Sequence, residues 1–427
     1  KENQELVEHI YNSLIKSGYI YTKNIDQAYD LEEKMFLPDR FIQGTCPKCR
    51  AESQYGDACE KCGATYSPNE MIEPISTLSR TKPIWKESEH FFFKLSSFKN
   101  ELKAWMKTAH LHKNITNKLS EWFEMGLKDW DISRDDPYFG FKIPNTDNKY
   151  FYVWLDAPIG YLASFLNLCA KNKQLKFDDY FNKDSEHELY HFIGKDIVYF
   201  HTLFWPAVLE GAKLRKPTSV FAHGFLTING KKMSKSRGTF INAETYLSNL
   251  NPNYIRYYYA AKLGPSMEDI DMNMDDFVAR VNSDLIGKLI NIASRCSGFI
   301  NKNFQGRLSS RLDDEKLFNT FSSASEIIAT HYEAREYSKA MKHIMLLADL
   351  ANRYIEEKKP WLMIKNSSKA NEVQTVCTQG MNLFRLLMIY LMPVIPDIAK
   401  NVKILQISKT NMFVIGQKKK LKRIDKN

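Results

Sequence analysis

Three groups of residues in this sequence combine side-chain types and spacings that could do chemistry. The first is Gly230-Lys231-Lys232-Met233-Ser234-Lys235-Ser236-Arg237-Gly238-Thr239, in which four of ten residues are cations. It follows an apolar run from Ser219 to Leu226, so the pattern predicts a basic loop leaving a strand. Fixed cations stabilise charge on transferring phosphates without entering covalent chemistry, and Lys232 and Lys235 could grip different oxygens of one triphosphate. A solvated, lysine-rich hairpin tip has the same composition, so the loop alone does not decide between the two.

The second group is cysteine. Cys46-Pro47-Lys48-Cys49 and Cys59-Glu60-Lys61-Cys62 are separated by nine residues. Each pair can present two thiolates on one side of a tight turn, and two such turns facing each other supply four soft ligands to a tetrahedral zinc ion. With all four positions filled by protein, such a zinc is structural. A redox dithiol and cysteines without metal are the alternatives. The intervening segment, with Gly56 and Asp57, reads as a turn rather than a strand-rich ribbon.

The third group is aromatic. Trp154 lies in an apolar strand-like run from Lys149 to Leu155, Ala157, Pro158 and Tyr161 cluster beside it just after, and Pro158 suits the first turn of a following helix. Farther on, Ile197, His201 and Trp205 stand at i, i+4 and i+8 after a second strand-like run, Leu189 to Ile193, and the turn Gly194-Lys195-Asp196. One imidazole among aromatic rings and one small residue suits an apolar, polarisable side chain such as that of methionine. Taken singly, each of these residues reads as core packing, and Arg134 as a surface ion-pair partner.

These residues need elements to hold them. Two successive strand-helix units predict a parallel sheet, with ligands bound beyond the carboxyl ends of its strands. The chain opens on an amphipathic helix, Glu2 to Tyr19, and turns helical again between Glu87 and Leu127, where Phe91, Phe92 and Phe93 read as packing. His223 and Gly224 could let the backbone approach a planar base. From Asp275 onward the pattern is helical: a long helix through Phe277 and Ile292, another from about Ser338 to Lys358, and a third from about Gln379 to Met392. Asn291 and Arg295 sit one turn apart on the first of these, and Trp361 follows Pro360. Antiparallel helices of these lengths form a bundle. The basic run Lys418 to Arg423 reads as a solvated tail.

At 427 residues and a formal charge of +10, the chain has room for roughly three domains and a bias toward a polyanionic partner. No uncharged apolar run in it approaches the length of a bilayer; the best is Leu386 to Ile395. Seven cysteines, four of them grouped, fit a reduced compartment better than a disulfide framework. A membrane is therefore not expected as a partner and the cytoplasm is the expected location; DNA is not among the expected partners.

Together these stretches resemble the bacterial methionine-tRNA ligases, class I aminoacyl-tRNA synthetases, from about Leu37-Pro38-Asp39-Arg40-Phe41 through Pro360-Trp361. The family's motifs occur in order: the double Cys-x-x-Cys, Trp130 to Arg134, Tyr152 to Tyr161, Phe192 to Trp205, and Lys232-Met233-Ser234-Lys235-Ser236, which is identical to the class I signature loop. The resemblance implies an α/β fold. It comprises the second half of a Rossmann-type parallel-sheet domain with a zinc-knuckle insertion, followed by an all-α anticodon-binding helix bundle. It implies boundaries at 1–16 for the end of the first Rossmann half, 17–133 for the connective insertion, 134–224 for the second half, 225–290 for the signature-loop and stem-contact region, and 291–427 for the bundle.

By the same resemblance Trp154, Ala157, Pro158, Tyr161, Ile197 and His201 line a methionine pocket, and Arg134 and Asp196 orient substrate. His223, Gly224, Lys232, Ser234 and Lys235 meet ATP, which brings Mg2+, and Asn291, Arg295 and Trp361 read the anticodon of tRNA(Met). The implied reaction forms methionyl-adenylate and then transfers methionine to tRNA. Lys1 falls near the end of the family's first nucleotide-binding half, whose His-x-Gly-His motif is not in the chain, and the resemblance stops after about Ile398; a fragment of the enzyme is expected. A noncatalytic tRNA-binding remnant is the alternative, and a synthetase for isoleucine, valine or leucine a weaker one.

Overall fold

The computed structural model describes residues 1–402 except 57–58, 60, 63–65 and 234–240. It divides into two compact units, Lys1–Phe221 and Ala222–Asn427.

The first unit begins with the helix Glu2–Lys16, which buries Val7, Ile10, Tyr11 and Leu14 at helical spacing and ends before Gly18 at φ +74°. That face packs against the helix Val153–Lys171. By length and composition Val153–Lys171 is apolar enough to cross a membrane, and it is a longer such stretch than the run at 386–395. Here it serves as a packing helix, burying Leu155, Ile159 and Leu162.

Next, the strand Ile20–Asp30 pairs antiparallel with Ile84–Phe93, in register from Ile20↔Phe93 to Tyr29↔Ile84. Met35–Phe36 and Trp130–Asp131 complete this four-stranded sheet. The aromatic run at 91–93 therefore lies in a strand, where a helix was expected. Consecutive aromatics favour a pleated surface with cross-strand partners, and Tyr21 stacks on Phe92 at 5.6 Å while Phe93 is fully buried. The helices of this region, Lys99–Thr108 and Lys113–Met125, start later.

A smaller antiparallel sheet is built from Gln54–Tyr55, Ile42–Thr45 and Ile72–Ser76. The expected plain turn between the cysteine pairs thus contains a strand, Gln54–Tyr55, paired to the strand that leads into Cys46.

Lys149–Phe151 pairs antiparallel with Ser133–Asp135, and the helix begins at Val153. The expected strand to Leu155 is four residues too long, and Pro158 lies inside the helix rather than in its first turn. Burying Leu155, Pro158, Ile159 and Leu162 along one helical face outweighs the β-propensity of Val153 and Trp154. Tyr190–Gly194 pairs instead with Ser219–His223, through an intervening helical segment, so the two predicted strand-helix units are not sheet neighbours.

The second unit contains a three-stranded sheet, Lys231–Lys232, Leu226–Ile228 and Ile270–Met272, in which the last two run parallel. Helical turns run without a break through Met274–Arg280, Val281–Ile290 and Asn291–Phe304. Glu315–Glu333, Tyr337–Lys358 and Ala370–Leu391 pack around a core that includes Tyr257, Tyr258, Phe277, Leu285, Ile344 and Leu387. Glu315–Glu333 falls in the stretch expected to be helical but was not marked out as a helix of its own; it buries Phe321, Ala324 and Ile328 at helical spacing. Ala370–Leu391 starts nine residues before the expected Gln379, since Val373, Val376 and Cys377 also face the core.

Candidate substrate pocket, zinc knuckle and anticodon face

The helix Val153–Lys171 places Trp154, Ala157 and Tyr161 at i, i+3 and i+7, on one face near its start. Opposite them, the chain leaves Tyr190–Gly194 through a short turn, Lys195–Ile197, and enters a π-helical turn, Phe200–Phe204, before Trp205–Gly211 continues as α-helix. His201 in that turn is fully buried. Its Nδ1 lies 3.0 Å from the Ile197 carbonyl, which can only accept, so Nδ1 carries the proton. Nε2 is then the acceptor for the Tyr161 hydroxyl at 3.0 Å. Trp154 meets His201 edge-on at 6.1 Å and stacks on Phe200 at 4.0 Å. Trp154, Tyr161, Ile197 and His201 are thus brought together; on the same helix Pro158 is buried and Ala157 exposed.

The extra residue of the π turn changes the phase of the expected i, i+4, i+8 face. His201 bonds to Tyr161, whereas the Trp205 indole N–H donates 3.2 Å to Nε2 of His191. His191 was not singled out from the sequence. The only signal was alternation in Tyr190–Gly194, which turns His191 and Ile193 inward. Its ring stands 5.2 Å from Tyr161 and 5.7 Å from His201. Burial, and then the charge of His201, hold its pKa down at about 4. Burial also lowers that of His201, against the opposing hydrogen bond to Ile197. Both rings are neutral at pH 7, so the group presents aromatic faces and no charge, with the Tyr161 hydroxyl held by His201.

Arg134, in Ser133–Asp135, lies over the Tyr152 ring at 3.9 Å, donates 2.6 Å to the Ser133 carbonyl and stands 3.5 Å from Asp131. Asp196 is exposed in the turn Lys195–Ile197; among the described residues no hydrogen bond or ion pair joins it to Arg134.

The four cysteine sulfurs lie within 4.8 Å of one another, and none is in a disulfide. Cys46 and Cys62 are 3.9 Å apart and Cys49 and Cys59 3.5 Å. A tetrahedron with zinc–sulfur bonds of about 2.3 Å has edges of roughly 3.8 Å, so the cluster matches in size. In each pair the second cysteine's N–H points at the first cysteine's sulfur, at 3.5 Å for Cys49 and 3.4 Å for Cys62. Gly44 allows the strands to close: a Cβ there would come 2.9 Å from the Ile72 carbonyl oxygen.

In the second unit the exposed His223 bonds through Nδ1 to the Gly224 carbonyl at 2.8 Å. A Cβ on Gly224 would fall 2.0 Å from the Glu268 carbonyl oxygen, so the space that this glycine leaves is taken by the chain's own backbone rather than left open for a base. Lys232 lies in the strand Lys231–Lys232, while Ser234 and Lys235 fall outside the described residues, as does Lys418 to Arg423.

Asn291 and Arg295 lie one turn apart, as expected. Asn291 donates 3.1 Å to Asn352, Arg295 pairs with Glu356 at 2.8 Å, and the Arg295 guanidinium sits 5.2 Å from the Trp361 ring. The half-buried indole and the guanidinium therefore share one face of the bundle, with Asn352 and Glu356 as partners that the sequence did not point to.

Two family models match the chain: one described as tRNA synthetases class I (M) over residues 1–297, and one described as the anticodon binding domain of methionyl tRNA ligase over residues 308–426. A Rossmann-like catalytic fold followed by an all-helical anticodon-binding domain is the architecture of a class I aminoacyl-tRNA synthetase. The chain belongs to the tRNA synthetases class I (M), ligases that join methionine to tRNA using ATP. The match across the catalytic region disfavours a noncatalytic remnant. The second match runs to residue 426, past Ile398 where the resemblance was expected to stop. In fold the chain is similar to the methionyl-tRNA synthetase of Mycobacterium tuberculosis bound by methionyl-adenylate, with a TM-score of 0.74 at 24% identity over 97% of this chain and 78% of that one. The apo form of the same enzyme gives 0.71 at 22% over 97% and 77%.

Proposed function

We propose that the pocket formed by Trp154, Ala157, Pro158, Tyr161, Ile197 and His201 binds the methionine side chain. The observation that carries this is the Tyr161–His201–Ile197 hydrogen-bond chain, which fixes the half-exposed Tyr161 ring against a buried, neutral imidazole beside Trp154. A thioether is a polarisable body, and such a wall offers it aromatic faces, the Tyr161 hydroxyl having given its one proton to the hydrogen bond with His201 Nε2. Arg134 and Asp196 orient the amino acid's charged end. His223, Gly224, Lys232, Ser234 and Lys235 meet ATP. Mg2+ bound to the nucleotide would supply charge neutralisation on its phosphates.

The reaction runs in two displacements. A methionine carboxylate oxygen attacks the α-phosphorus of ATP, the bond to the bridging β-phosphate oxygen breaks, and pyrophosphate leaves. A ribose hydroxyl of the tRNA terminus then attacks the adenylate's carbonyl carbon, losing its proton, and AMP leaves. Neither step requires a dedicated protein nucleophile; positioning and fixed cations carry them.

The four cysteines would hold one structural zinc, supported by the sulfur spacing and by their common cluster rather than two separate dithiols. Asn291, Arg295 and Trp361 would read the anticodon of tRNA(Met), Trp361 by stacking on an unpaired base beside Arg295. The domain limits given above at 16, 133, 224 and 290, and a cytoplasmic location, belong to the same reading.

The test is methionine binding by calorimetry, alongside methionine-dependent exchange of pyrophosphate into ATP. Tyr161→Phe and His201→Ala should each weaken binding while leaving ATP affinity unchanged. Methionine affinity equal to the unsubstituted chain's in both variants would remove these residues from the pocket.

A further inference from the structure

The first unit buries a group of charges that the reaction above leaves unexplained. His90, on the strand Ile84–Phe93, is 1% exposed, yet both its ring nitrogens face carboxylates. Nδ1 lies 2.7 Å from Asp131 Oδ2 and Nε2 2.8 Å from Asp135 Oδ2, with the Gln27 side-chain oxygen 3.0 Å from Nε2. A neutral imidazole has one donor and one acceptor and would turn a lone pair on one of these carboxylates. Only the imidazolium satisfies both sides. Burial pushes the ring's pKa down, but Asp131 and Asp135 outweigh it and hold the value above that of an ordinary histidine.

Asp135 also takes the Lys149 ammonium and the Ser88 hydroxyl, the latter at 2.9 Å. Asp131 uses its second oxygen on the backbone and hydroxyl of Ser133, at 3.0 and 3.2 Å. Arg134 stands 3.5 Å from Asp131 Oδ2, the same oxygen that His90 holds at 2.7 Å. Three cations, His90, Lys149 and Arg134, therefore share two carboxylates, and the short contacts go to His90 and Lys149. The other charge opposite His90 is Lys23, its exposed register partner on Ile20–Asp30. Arg134 keeps the weakest counter-ion, and its remaining contacts, the Ser133 carbonyl and the Tyr152 ring, are uncharged.

We propose that His90 is a positioning residue of the synthetase reaction: as an imidazolium it claims Asp131, so that the Arg134 guanidinium keeps its charge for an anionic oxygen of the substrate. This rests on the reading above that Arg134 meets substrate. A carboxylate of methionine and a phosphate of ATP present the same chemistry to a guanidinium. When His90 loses its proton, Asp131 turns to Arg134 and the site loses its hold on that oxygen.

The test measures methionine, methioninol and ATP affinities by calorimetry from pH 6.5 to 9 for the unsubstituted chain, Arg134→Ala, His90→Gln, and His90→Gln with Asp131→Asn. The affinity of one anionic ligand should fall about tenfold with rising pH, the scale of a coupled neighbouring pair. His90→Gln should be weak throughout and show no pH limb. Adding Asp131→Asn removes the competing carboxylate and should restore affinity, a rescue that a merely structural His90 would not show. Loss for methionine but not methioninol identifies the carboxylate as the anion; loss for ATP identifies a phosphate.

Unchanged affinity in His90→Gln, or no rescue, overturns the inference while the reading of the site stands. Unchanged affinity for methionine and ATP in Arg134→Ala overturns that reading and the inference with it. Nitrogen-15 NMR of the unsubstituted chain gives a readout independent of any variant's folding: both His90 nitrogens should be protonated at pH 7, and a neutral tautomer there overturns the inference.

Discussion

Acid should destabilise this protein through one buried histidine. His191 is 7% exposed, accepts the Trp205 indole N–H at 3.2 Å, and titrates at about 4 because burial, and then His201, disfavour its charge. In the unfolded chain the same imidazole titrates near 6.5. The folded value is depressed, so between these two values the unfolded state binds the extra proton. The stability this group contributes is complete above about 6.5 and is lost as pH falls toward 4, to a total of about 3 kcal/mol. His191→Gln removes the titration yet leaves an oxygen to accept from Trp205, avoiding the cost of an orphaned indole donor. Urea unfolding followed by tryptophan fluorescence from pH 7 to 4 reads the effect as a difference between the two proteins. Groups such as Asp135 and Glu210, whose pKa values sit below the usual range, are common to both and cancel. The variant should gain about 3 kcal/mol on the unsubstituted chain across this window. A difference that stays flat, or an NMR titration of folded His191 near 6.5, would refute the reasoning.

Other consequences are open to direct measurement. About one zinc per chain should copurify, and Cys46→Ala with Cys59→Ala should abolish it; full retention by atomic absorption would exclude the four-cysteine site. Gly224→Ala must displace the Glu268 backbone, because the new Cβ would lie 2.0 Å from its carbonyl oxygen, and should cost at least about 1 to 3 kcal/mol in thermal unfolding. An unshifted melting temperature would contradict the packing of that segment. Trp361→Ala should weaken tRNA(Met) binding by about 1 to 3 kcal/mol and spare methionine binding. If tRNA affinity does not change, Trp361 is not a base-stacking residue.

Local spacing carried much of the site. Two Cys-x-x-Cys pairs can hardly bring four sulfurs together except as two facing turns, and Asn291 with Arg295 must share a face on any α-helix. The amphipathic first helix was legible for the same reason, since its buried residues recur every three or four positions. Spacing was a poorer guide where tertiary burial outweighed propensity. Val153 and Trp154 belong to a helix because Leu155 and Ile159 must face its packing partner, and Phe91 to Phe93 form a strand because Ile20–Asp30 supplies the cross-strand partners. The helix Glu315–Glu333 was legible only as part of a helical stretch, without bounds of its own, because a mostly polar segment carries its inward residues Phe321, Ala324 and Ile328.

What the sequence determined by itself was the inventory: a basic signature loop, a cysteine quartet, an aromatic pocket set, and a helical second half whose residues point to methionine and tRNA. What only the tertiary structure decided was partnership. His191 and His90 are ordinary strand residues in sequence. One is held neutral by burial, and then by His201, with Trp205 donating to it, while the other is raised toward its charged form because Asp131 and Asp135, more than forty positions from His90, accept from it. A charge state depends on neighbours within a few ångströms. Folding brings those neighbours together from positions that no local pattern relates.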